Sequence, residues 1–94
     1  MVPCYIEANP TTGMVYVTSE SEYSVRVYDR NINEIVTTIN VEDIPRGVTV
    51  NPITNIIYVK TLESNTVSVI NGSSNKTIDS IPTREIPLRN VFWK

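Results

Sequence analysis

The chain has no histidine and a single cysteine, Cys4, in 94 residues. Lack of histidine removes the commonest general base and any Ser–His or Cys–His nucleophile pair. With one cysteine there is no intrachain disulfide, and no Cys/His set exists for zinc. These absences lead us to expect a non-catalytic protein with no cofactor and no metal. Cys4 itself reads as a small buried hydrophobe near the start of a strand. Basic residues are also few, eight against ten acidic ones for a net charge of −2. That leaves no basic footprint for nucleic acid. No apolar run approaches the ~18 residues of a membrane span. Residues Met1 to Glu7 lack the charged and apolar regions of a signal peptide. With 40% hydrophobic and 19% charged residues, the composition is that of a folded chain.

What is present is a repeat. Asn9-Pro10-Thr11-Thr12-Gly13-Met14-Val15-Tyr16-Val17 returns as Asn51-Pro52-Ile53-Thr54-Asn55-Ile56-Ile57-Tyr58-Val59, an offset of 42 residues. The register extends further: Pro3 maps onto Pro45, Val25 onto Val67, Val27 onto Val69, Asn33 onto Asn75, Ile39 onto Ile81 and Ile44 onto Ile86. Pro45 maps in turn onto Pro87, which opens a third copy. A fixed period of this size marks a repeat architecture.

Each copy spells four short strands. The first pair is residues 3–8 and 46–50. Each leads into Asn-Pro and, two residues later, Gly13 or Asn55. Asn bonds its own backbone, Pro pre-sets φ, and Gly or Asn tolerates positive φ, so a tight hairpin built on a type I turn follows. Next come residues 14–19 and 56–61, each opening on three large apolar residues. Such a run reads as a strand buried on both faces, so each sheet is expected to lie between two others. Residues 24–29 and 66–71 alternate cleanly, with Val25 and Val27, or Val67 and Val69, on one face. Asx-rich turns at 29–33 and 71–75 then lead to residues 34–39 and 76–81, rich in β-branched side chains. No helical period appears. Four strands per 42-residue unit describe one blade of a β-propeller. The fold class expected is therefore all-β, with two four-stranded antiparallel blades at about 3–42 and 45–84, and the first strand of a third at about 87–93.

The sequence resembles the YVTN family of β-propeller repeats. The resemblance lies in Tyr16-Val17-Thr18 preceded by Asn9-Pro10-Thr11-Thr12-Gly13, and in Ser64-Asn65-Thr66-Val67-Ser68-Val69-Ile70-Asn71-Gly72 followed by Ser74-Asn75-Lys76. It covers nearly the whole chain. The departures are Ser19 at the name-giving Asn, Lys60-Thr61 in the second copy, and Trp93-Lys94 where Asn-Pro is expected. The resemblance implies a seven-bladed propeller of surface-layer or secreted proteins, extracellular or on the cell surface, with binding or scaffolding roles. It supplies no catalytic residue.

Two blades leave two outer faces, each expected to carry residues of the Val25/Val27 kind. Leaving one large apolar side chain exposed forfeits ~1.5–3 kcal/mol, so the faces need a cover. Three or four copies of the chain closing into a ring would supply it, as would the remaining blades of a longer chain. The partners expected are thus a protein or the chain itself as an oligomer, with carbohydrate as the alternative in a sugar-binding propeller of two-blade subunits. Tyr16 and Tyr58 are expected in blade-to-blade packing, and Phe92 and Trp93 in a core or interface. Asn71-Gly72-Ser73 and Asn75-Lys76-Thr77 are N-glycosylation sequons on an expected turn. Glu20, Glu22, Glu42, Asp43, Glu63 and Glu85 read as solvated loop charge rather than a calcium site. Arg46, Arg84 and Arg89 flank the connections between blades, near one ring face.

Overall fold

The computed structural model describes residues 4–19, 21–41, 43–61 and 65–82. Its first sheet comprises β1 (Cys4–Asn9), β2 (Met14–Ser19), β3 (Ser24–Asp29) and β4 (Glu34–Asn40). The second comprises β5 (Pro45–Asn51), β6 (Ile56–Thr61), β7 (Thr66–Asn71) and β8 (Lys76–Pro82). Both sheets are antiparallel and follow chain order. No helix occurs among the described residues. The expected β1 shifts by one residue and β5 runs longer, because Asn9 and Asn51 still pair with Met14 and Ile56 before the chain turns; β4 and β8 each extend one residue, because Asn40 and Pro82 pair with Ser24 and Thr66.

One turn device is used four times. The backbone N–H of Gly13, Asn33, Asn55 and Asn75 donates to the carbonyl four residues earlier, over 2.8–2.9 Å. That closing residue has positive φ each time: 81° at Gly13, 57° at Asn33, 59° at Asn55 and 58° at Asn75. Only Gly and Asn adopt this region at low cost. At the entry corner, Asn9, Asp29, Asn51 and Asn71 each accept the N–H two residues on, over 2.8–3.0 Å. These are Asx turns, and they fix the register of all four hairpins. A bulge recurs at matching places, between Val27 and Tyr28 and between Val69 and Ile70. A third, between Pro45 and Gly47, belongs to the second sheet alone.

The core lies between the sheets. Tyr16, Val25, Val27 and Ile39 of the first meet Val48, Ile57, Val59 and Ile70 of the second, with Tyr5, Met14, Val41 and Val50 packed at the margin. Val25 and Val27 therefore occupy the joint, which corrects the expectation that residues of this kind line the outer face of the first sheet. Residues of opposite parity line that outer face, namely Ile6, Val15, Val17 and Ile35. In the second sheet residues of both faces are buried, Val67 and Val69 on the far face, Ser68 and Ile70 toward the first sheet. Clean alternation is consequently lost in β7. Among the described residues only one face of the first sheet is covered, and Val15 and Val17 are half-buried. Cys4 is exposed, not buried, because its place at the start of β1 falls on the uncovered face.

Candidate functional site

Two regions gather polar side chains. The first is the end of the sheets that carries the four hairpin turns. Here Asn9, fully buried, donates from Nδ2 to Asn55 Oδ1 of the other sheet over 3.1 Å. Asn9 Oδ1 is already held by the Thr11 N–H, so one amide closes its own turn and ties two repeats together. Within each sheet the first turn also bonds the second: Arg30 N–H donates to the Gly13 carbonyl at 3.0 Å, and Gly72 N–H to the Asn55 carbonyl at 2.8 Å. Each contact contains one glycine, but on opposite sides. In the first sheet Asn31 lies over Gly13, 2.8 Å from where a Cβ would stand. In the second, Asn55 covers Gly72, with its carbonyl oxygen 2.7 Å from that point and its side chain nearer still. The turn end offers many amides but only a shallow hollow of about 310 Å³, lined by Pro10, Thr11, Thr12, Gly13, Arg30 and Asn31.

The second region is a groove of about 480 Å³ along the inner strands β1 and β5. Tyr5 and Glu7 line it from the first sheet; Arg46, Gly47, Thr49 and Lys60 line it from the second. Among the described residues each inner strand pairs with one neighbour, β1 with β2 and β5 with β6. The bulge between Pro45 and Gly47 sits at Arg46, and such bulges re-aim side chains. Gly47 has nothing within 4 Å of its Cβ position, so the backbone there lies open to approach. A smaller hollow of about 210 Å³, lined by Arg46, Lys60, Thr61 and Asn65, continues from it. Across the groove stand two cations, one carboxylate and one phenol. That set can hold an acidic or hydroxyl-rich ligand by charge-assisted hydrogen bonds.

The residues singled out in the sequence fall in several places. Tyr16, Val25 and Val27 are fully buried in the joint between the sheets. Their counterparts Tyr58, Val67 and Val69 lie on the far face of the second sheet, the valines buried and the tyrosine half-buried. Asn71 and Asn75 are half-buried at the two corners of the last turn, Asn71 Oδ1 accepting the Ser73 N–H at 2.8 Å and Asn75 closing the turn at positive φ. Glu22 pairs with Arg26 at 2.8 Å on the surface. Asp43 is buried, contrary to the expected solvated charge, two residues before β5 begins. Arg46 is brought to the groove. Glu20, Glu42, Glu63, Arg84, Glu85, Arg89, Phe92 and Trp93 lie outside the described residues. Among the described residues no cluster of three or more His, Cys, Asp or Glu side chains is placed to hold a metal, and no helix is long and apolar enough to cross a membrane.

Sequence reasoning missed Gly47 and Lys60. A signal was available: the repeat breaks at Arg46, Gly47 and Lys60, whose counterparts are Cys4, Tyr5 and Thr18. It also missed the Tyr16 hydroxyl, which is buried without a hydrogen-bond partner among the described residues. Burial alone raises the pKa of that phenol above its ordinary value.

No family model matches the sequence, and no curated protein matches it. Solved structures do match its fold. One is hydrazine synthase of Kuenenia stuttgartiensis, with a TM-score of 0.76 at 24% identity over 81% of this chain and 22% of that one. Another is Hsv2 of Kluyveromyces lactis, with a TM-score of 0.60 at 12% identity over 87% of this chain and 25% of that one. Both are β-propeller proteins. The chain thus spans about a quarter or less of the length of each. Its two antiparallel four-stranded sheets are blades of the β-propeller fold.

Proposed function

We propose that this chain is a non-catalytic β-propeller module that binds a protein partner or acts as a scaffold, in the manner of surface-layer or secreted YVTN repeats. The observation that carries the reading is the inner-strand groove, where the 42-residue repeat is broken. The fold requires the residues that recur, such as the Asn-Pro turns and the strand valines. It does not require Arg46, Gly47 and Lys60, which differ from Cys4, Tyr5 and Thr18 while the strands keep matching register from Gly47 on, past the bulge at Arg46. Departures of this kind on a repeat scaffold vary the binding surface and spare the core. A peptide segment with acidic side chains matches the two cations by charge-assisted hydrogen bonds. Cell-surface or extracellular placement belongs to the same proposal and rests on the YVTN resemblance.

A second reading, sugar binding by a propeller of two-blade subunits, draws on the same groove. It lies between adjacent blades and offers Tyr5, Glu7, Thr49, Arg46 and Lys60 to hydroxyl groups. One experiment separates the readings. An acidic peptide library and an oligosaccharide array are probed with the protein and with Arg46→Glu/Lys60→Glu. Peptide binding that the double variant loses supports the first reading. Binding to sugars and not to peptides moves the assignment to the second, and binding to neither sinks both.

A further inference from the structure

The last turn of the second blade carries the one Asn-Gly pair in the sequence, Asn71-Gly72. Glycine has no side chain to hinder its own nitrogen, so an asparagine before it is the form most open to attack by the following amide. The reaction needs only water. The Gly72 nitrogen bonds to Asn71 Cγ, the Cγ–Nδ2 bond breaks, and the Gly72 proton leaves with Nδ2 as ammonia. Water then opens the cyclic imide at one carbonyl to give aspartate. Opening at the other gives isoaspartate, in which the main chain runs through Cβ and Cγ.

The folded turn holds both reacting groups. The Gly72 N–H, which must lose its proton, donates to the Asn55 carbonyl over 2.8 Å. The Asn71 carboxamide accepts the Ser73 N–H at Oδ1, also over 2.8 Å. Asn55 is itself fixed, with φ at 59° and with Oδ1 accepting Asn9 Nδ2 of the first blade over 3.1 Å. Asn71 and Gly72 are half-buried beside exposed Ser73 and Ser74, so water reaches the turn. We propose that Asn71 is a deamidation site gated by the Asn55 turn. It is closed while Gly72 is bonded to Asn55 and reactive when that contact opens. Because Asn9 holds Asn55, the gate is tied to the joint between the blades.

The repeat shows what each product does. The counterpart of Asn71 is Asp29, whose Oδ1 accepts the Asn31 N–H over 2.8 Å. Aspartate at this corner therefore closes the turn as asparagine does. In the second blade it faces Lys76 across the hairpin, where Asp29 faces Glu34, and opposite charges favour such a pair. Isoaspartate acts differently. It adds a main-chain atom between β7 and β8 and removes the Oδ1 acceptor, so the register of that hairpin is lost. Opening of the turn is thereby recorded in β8, the outermost strand of the second sheet.

The test incubates the whole chain at mildly alkaline pH, folded and in guanidinium, with peptide mapping that separates aspartate from isoaspartate. Asn71 should convert ahead of every other asparagine in both states. In the folded chain it should convert more slowly by about tenfold or more, since attack waits on breaking the turn bond by local opening. Asn55→Ala removes the acceptor for Asn9 and strains the positive φ, so it should raise the folded rate toward the unfolded one. Circular dichroism checks that this variant keeps its strands. If it does not, amide exchange at Gly72 of the unsubstituted chain takes its place, and exchange and deamidation should rise together as guanidinium is added below the unfolding midpoint. Asn71→Asp should melt as the unsubstituted chain does, and a lower melting point would overturn the reading of the products. Equal rates in the folded and unfolded chains overturn the gate. So does earlier conversion of another asparagine, an Asn55→Ala rate no faster than that of the unsubstituted chain, or deamidation that fails to follow exchange.

Discussion

Val17 and Val59 are the same residue at the same place in two copies of one repeat, yet Val59 is fully buried and Val17 is only half so. The contrast runs through the blades. In the second, β7 is buried at four successive residues; in the first, β3 alternates, with Arg26 exposed between Val25 and Val27. A blade has two faces, and local sequence builds both alike. What separates them energetically is the neighbour each face finds. The stability of a repeat array is therefore held in its joints as much as in its units. In the described part of this chain the joint between the blades unites eight buried side chains in one core.

The sharpest way to break the comparison is to truncate equivalent positions. Ile57→Ala should cost ~2–5 kcal/mol, since a fully buried side chain leaves a cavity. Its counterpart Val15→Ala, half-buried, should cost less than ~1 kcal/mol in the single chain. Urea melts of the two variants compare them directly, and equal losses would show that the first blade's outer face is covered in solution.

The glycine exchange between turns is the next largest effect. Gly72→Ala should cost ~1–3 kcal/mol, because its Cβ meets the Asn55 carbonyl at 2.7 Å as well as the Asn55 side chain. Adding Asn55→Gly should recover part of the loss, since it recreates the pairing of Gly13 with Arg30, where the turn bond is 3.0 Å. Thermal melts of the single and double variants decide this; no recovery would mean that the carbonyl contact alone carries the cost.

Tyr16 separates the blades in another way. Its hydroxyl is buried without a partner among the described residues, and an orphan of this kind costs ~1–3 kcal/mol. Tyr16→Phe should therefore stabilise the protein, by an amount approaching 1 kcal/mol if the site relaxes. The same burial gives a dependence on pH. The folded-state pKa is raised, so the unfolded chain loses its phenol proton first as pH climbs past about 10. The contribution is fully present below that pH and is lost as pH rises toward the folded pKa. Denaturant midpoints between pH 8 and 11 should fall less for Tyr16→Phe than for the unsubstituted protein. Parallel curves would place the phenol in contact with solvent.

Smaller effects sharpen the picture. Asn55→Gly keeps the positive φ but removes the acceptor for Asn9, so its cost should be ~0.5–1.5 kcal/mol. Smallest of all, Glu22→Gln breaks the Arg26 pair on an exposed surface and should change stability by less than ~0.5 kcal/mol. A loss above ~1 kcal/mol would show that the pair is shielded from solvent.

Much of the fold was legible beforehand. Asn9-Pro10 and Asn51-Pro52 mark hairpin corners because an Asx side chain replaces a backbone partner. Gly13, Asn33, Asn55 and Asn75 mark exits because they tolerate φ near +60°. The site was less legible. Arg46 was visible as a cation near a connection, but its meeting with Lys60 and Glu7 depends on two inner strands lying side by side. The Asn9–Asn55 bond, across 46 residues of chain, has no local signature at all.

By itself, then, the sequence determined the 42-residue period, the four strands of each copy, their hairpins and their pairing partners. All of these follow from contacts between residues close in the chain, where turn chemistry and strand alternation act. Only the tertiary structure decided which face of each blade is covered. Alternation sorts side chains into two sets and says nothing about which set meets a neighbour. That choice placed Val25 and Val27 in the joint, left Ile6 and Ile35 open, and put Cys4 on the surface. It is made by the stacking of one sheet on another, a contact between residues far apart in sequence.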